Sequence, residues 1–151
     1  MSIFFFGPVP EELGWRGIAL DQLQEKFSAL IASFILGGVW ALWHLPLFFM
    51  KGTYQNEIGF GSADFWMFNM TLLPITILMT WIYNHTDRSI LAAILFHFII
   101  NLSGEFFGIE GVARIYQFDL LFIMTALVVL LYGEKTLNDK PDVEKLLRRD
   151  G

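Results

Sequence analysis

The chain has 151 residues, no cysteine and a formal net charge of −5, and 55% of it is hydrophobic. Its mean hydropathy of +0.53 lies well above that of an ordinary soluble domain. These values exclude a disulfide framework, a thiol nucleophile, a thiolate metal site and a nucleic-acid partner, and they point to a membrane protein of one domain's length.

Met1 to Gly7 is apolar but too short to span a bilayer, and it lacks the basic start of a signal peptide. Pro8 and Pro10 follow, and Pro10 suits the first turn of a helix, where its missing N–H goes unused. Glu11 and Glu12 then fall where the helix dipole favours carboxylates. This helix is expected to fade in the polar run from Asp21 to Lys26, and to lie half-buried or re-entrant.

Four apolar stretches come next, at about residues 28–50, 64–83, 88–107 and 115–132. Each approaches the roughly 20 residues that a helix needs to cross hydrocarbon, and none alternates with period two. The expected fold is all-α: a polytopic helical membrane protein with about four transmembrane helices plus an N-terminal amphipathic or re-entrant helix. Residues 1–133 would form the core and 134–151 a polar, solvated tail, with a short helix near 143–147. Lys135, Lys140, Lys145, Arg148 and Arg149 lie in that tail, and Lys26 and Arg88 lie in loops on the same side. Only Lys51 and Arg114 fall on the other, so the C-terminus is expected to be cytoplasmic; the membrane is expected to be the plasma membrane of a prokaryote.

Ionisable side chains at membrane depth are unfavourable by roughly 2.5–3.5 kcal/mol each, which makes them candidates for function. Glu12 and Arg16 are four apart, share a helix face and can neutralise each other, which leaves Glu11 free for chemistry. His97 and Asn101 have the same spacing and set an imidazole beside a carboxamide. Trp40 and His44 repeat it, with the indole able to shield the imidazole from lipid. Pro46 removes a backbone bond beside His44 and allows a kink there. Taken singly, each has a plain reading. Glu12 with Arg16 is a structural pair, a lone membrane histidine is bonded to a neighbouring helix, and Asn101 is interhelical glue. Asp119 reads as interfacial and His85 as solvated. Together, and from three helices, they point to one polar site.

The runs Pro10-Glu-Glu-Leu-Gly-Trp-Arg-Gly17, Trp40-Ala-Leu-Trp-His-Leu-Pro46 and Leu95-Phe-His-Phe-Ile-Ile-Asn101 resemble, in that order, the motifs of the CPBP family. That family holds the type II CAAX prenyl proteases and the bacteriocin-processing and immunity relatives called Abi proteins. The resemblance covers about Val9 to Leu131. Two departures stand out: Trp40 replaces a commoner phenylalanine, and the usual helices before the first motif are expected to be lacking. The resemblance implies an intramembrane endopeptidase acting on a membrane-associated peptide or protein substrate within the lipid bilayer. Glu11 and His44 would activate a water, His97 and Asn101 would form an oxyanion hole, and Glu12 and Arg16 would brace the first helix. No cofactor is favoured; in the alternative, metalloprotease reading, Glu11, His44 and His97 would hold Zn. The competing class is a non-catalytic membrane immunity or scaffold protein that keeps the protease fold. A transporter would call for a second, pseudo-symmetric half, and no internal repeat is found.

Overall fold

The structure, a computed structural model, describes residues 7–107 and 112–138, and no strand occurs among them. Helix α1 (Pro8–Gly14) runs through a π-helical turn (Trp15–Ala19) into α2 (Leu20–Gln24). Then come α3 (Ala29–His44) with a 3-10 turn (Leu45–Phe49), α4 (Tyr54–Ile58), α5 (Ala63–His85), α6 (Ile90–Phe107) and α7 (Val112–Tyr132).

The four apolar stretches all form helices. Ala29–Phe49, α5 and α7 are long and apolar enough to cross a membrane, and α6 adds the shorter apolar run Ile90–Gly104. The chain is a helical membrane protein. Four helices start where the sequence supplies a hydroxyl: Ser28, Thr53, Ser62 and Ser89 accept from the backbone N–H of Ile31, Asn56, Phe65 and Ala92. Pro46 sits inside the 3-10 turn that ends α3, where its missing N–H and fixed φ halt the α-helical ladder.

Small residues and hydroxyls bring α3 against α5. A Cβ on Gly37 would lie 3.1 Å from Leu73 Cδ2 and 3.2 Å from Thr76 Oγ1. The Ser33 hydroxyl, fully buried, lies 2.7 Å from the Ala29 carbonyl and 2.8 Å from Thr80 Oγ1. Lipid supplies no hydrophobic drive between helices, so close approach and polar pairs of this kind hold them together. Helix α7 joins through Thr125, whose hydroxyl donates to the Pro74 carbonyl of α5 at 3.3 Å.

At one end of the bundle the Tyr83 hydroxyl donates to Asp21 at 3.2 Å, and Arg88 pairs with the same carboxylate at 3.4 Å. The carbonyls of Lys135 and Glu134 accept from the first N–H groups of α3, Ala29 at 2.7 Å and Leu30 at 3.1 Å. Leu137 is fully buried beside them, so the segment expected to be solvated begins with a docked side chain. The reason is plain in the bonds: α3 has unsatisfied donors there, and the turn after α7 supplies acceptors. Residues 143–147, expected as a short helix, lie outside the described residues. Lys26, Arg88 and Lys135 share this end and Lys51 and Arg114 the other, as the sequence sorts them.

Candidate active site

Helix α1 packs against α6 and brings its acidic pair toward the centre of the bundle. Glu12 is completely buried. One of its oxygens accepts from Arg16 Nη1 at 2.8 Å, and the other faces His97 Nδ1, also at 2.8 Å. Arg16 is equally buried, and its guanidinium lies over the Trp40 ring at 5.7 Å. Its Nε and Nη2 find no partner among the described residues, so Glu12 is the group that compensates this cation.

Glu11, one residue earlier, points to α3. The Trp40 indole N–H donates to Glu11 Oε2 at 2.8 Å. The same indole stands against both imidazoles, with ring centres 5.6 Å from His44 and 5.1 Å from His97. His44 Nδ1 lies 2.8 Å from the Trp40 carbonyl. A carbonyl can only accept, so Nδ1 carries the hydrogen and Nε2 is the basic nitrogen of the neutral ring.

Glu11, His44, His97 and Asn101 line one cavity of about 660 Å³. That volume lies within the roughly 300–1,000 Å³ of ordinary ligand sites. Its walls between these groups are apolar, with Leu47, Phe68, Leu72, Ile75 and Ile100 among them. The far part carries Asp64 and Arg114, paired at 2.5 Å. Among the described residues no three His, Asp or Glu side chains are grouped so as to hold a metal ion.

Of the six residues singled out in the sequence, four line the cavity and two, Glu12 and Arg16, sit behind it as a pair. Two contacts differ from expectation. Glu11 is not without a partner, and Trp40 is more than a shield, because its N–H holds the Glu11 carboxylate. Glu12 does more than brace its own helix, since it also orients His97 from 85 positions away. No local spacing announces a contact of that range. The indole one turn before His44 was the available signal for the other, since phenylalanine has no N–H to give.

The fold and the site together define a helical membrane protein with carboxylate, imidazole and amide groups around one cavity. Residues 1–103, which hold all three motifs, match the family model described as "Type II CAAX prenyl endopeptidase Rce1-like", and the chain belongs to that family. Over 131 residues it is 40% identical to the CAAX prenyl protease 2 of Methanococcus maripaludis, across 86% of this chain and 48% of that protein. The chain thus spans about half the length of this relative.

Proposed function

We propose that this chain is an intramembrane endopeptidase of the CAAX prenyl protease type, which works without a metal. Its substrate would be a membrane-associated protein ending in the Cys-aliphatic-aliphatic-X signal, with an isoprenoid on the cysteine. The observation that carries this reading is that Glu11 and His44 share one cavity with His97 and Asn101, and that both imidazoles have Nδ1 already engaged. Nε2 of each ring is then left for chemistry.

In this mechanism a water between Glu11 and His44 loses a proton to that pair as its oxygen attacks the scissile carbonyl carbon. The carbonyl oxygen takes up the negative charge, and His97 Nε2 and the Asn101 amide donate to it. Donors placed in this way contribute about 2.7–4 kcal/mol each in comparable sites. Collapse of the tetrahedral species breaks the C–N bond, and the proton passes to the leaving amine. Because the hydrogen on His97 Nδ1 goes to Glu12, Nε2 donates only when the ring is doubly protonated. The buried Glu12 carboxylate lies against that positive charge. Trp40 fixes the Glu11 oxygen, and the apolar walls suit a lipidated peptide.

The test is cleavage of a farnesylated CAAX-type peptide by the chain reconstituted in liposomes. Cleavage should persist in the presence of a strong chelator, and elemental analysis of the purified protein should find less than stoichiometric zinc. One tightly bound zinc per chain, with activity lost on chelation and restored by metal, would overturn the metal-free mechanism. Trp40→Phe should keep the ring packing and lose the donor to Glu11. A hydrogen bond to a charged group is worth about 1.5–3 kcal/mol, so kcat should fall by up to about 10- to 100-fold as Glu11 loses its fixed position, and the thermal midpoint should drop with it. An unchanged kcat would deprive the indole N–H of its role.

A further inference from the structure

Arg114 is the one permanent cation among the described residues that line the cavity, whose carboxylates are Glu11 and Asp64 and whose imidazoles are His44 and His97. Its side chain is 18% exposed and pairs with Asp64, which is half-exposed. A guanidinium in a largely apolar cavity is suited to a planar anion, because its fork of N–H groups matches a carboxylate. Gln117, one turn along α7, and Gln55 line the same region and can add neutral hydrogen bonds.

We propose that Arg114 reads the C-terminal carboxylate of the peptide substrate, and that Asp64 holds its place until substrate arrives. This rests on the protease reading above, in which the substrate ends shortly after the scissile bond. The free acid enters at the far part of the cavity and replaces Asp64 on the guanidinium. The scissile bond then lies between this anchor and the isoprenoid, toward Glu11 and His44. Asp64 is half in solvent and loses little on release. The pair is thereby a specificity device, selecting chain ends over internal segments of membrane proteins.

The test is equilibrium binding in nanodiscs of uncharged lipid, in the Glu11→Gln background so that no peptide is consumed. Two fluorescent farnesylated tetrapeptides are compared, one a free acid and the other its C-terminal amide. The acid should bind about 10- to 100-fold more tightly, the effect of one charge-assisted bidentate contact. Arg114→Gln should bring the acid to the level of the amide and leave the amide unchanged. Asp64→Asn should tighten acid binding, because it removes a competing carboxylate. A purely structural Arg114–Asp64 bridge would instead make both variants weaker for both peptides, and that result overturns the proposal. Equal affinity for acid and amide, or no binding of either, overturns it as well. If anionic lipid weakens acid and amide alike and Arg114→Gln abolishes that effect, the cation serves lipid phosphate and the proposal also falls. Acid-selective binding with no cleavage by the unsubstituted chain would remove the protease reading and leave the carboxylate site standing.

Discussion

Glu11→Ala and His44→Ala should each lower peptide cleavage by about 100- to 10,000-fold, the range expected when a general base is lost. Neither should prevent insertion or folding, because both side chains line a cavity and the direct bond to the buried Arg16 comes from Glu12. Glu11→Gln is the sharper variant. Its amide oxygen can still accept from the Trp40 indole, so the local packing survives, but the group no longer takes a proton from water. Cleavage at the unsubstituted rate by Glu11→Gln, measured on reconstituted protein, would remove Glu11 as the base. Cleavage retained by His44→Ala but lost in Glu11→Gln would leave the carboxylate to act alone.

Glu12→Ala should be the most destabilising single change at this site, by about 3–5 kcal/mol, the usual penalty for stranding one partner of a buried pair. Arg16 would keep its charge with no exposure and no acidic neighbour in contact, and His97 would lose the group that holds Nδ1. Unfolding in detergent, followed by circular dichroism, should show the drop in midpoint. Replacing both members, as Glu12→Leu with Arg16→Met, should restore much of the stability, since buried ion pairs are often no better than apolar packing. Activity should stay low in that double variant, because His97 is still unoriented. A Glu12→Ala protein with an unchanged midpoint would contradict the account of this pair.

Much of this arrangement was legible in the amino-acid sequence, and the limits have physical causes. The membrane-length helices follow from unbroken apolar runs, and the Glu12–Arg16 pair follows from helical spacing. Both are local properties. The contacts of Glu12 with His97 and of Glu11 with Trp40 depend on how α1 is placed against α6 and α3, which no spacing within one helix encodes. Lys and Arg sort the loops into two ends of the bundle, but they are silent on where the cavity is entered. Asp64, Arg114 and Gln55 lie at the end opposite Lys26, Arg88 and Lys135. Leu137 escaped notice because a lone leucine in a charged tail carries no periodicity, and its burial depends on donors presented by a helix more than 100 positions earlier.

The π turn after Gly14 separates two jobs that a plain helix would tie together. Its closing bond runs from the Leu20 N–H to the Trp15 carbonyl, a span of five residues where an α-helix spans four. The extra residue offsets everything that follows by about 100° around the axis. Upstream of the offset, Glu11 and Glu12 are aimed at Trp40 and His97; downstream of it, Leu20 packs on Ala32 and Leu36 and Asp21 reaches Tyr83. In a straight α-helix, one rotation about the axis would have to satisfy both groups. With the π turn between them, the reactive end and the anchoring end are phased independently, as if a spacer one residue thick had been slipped into the shaft.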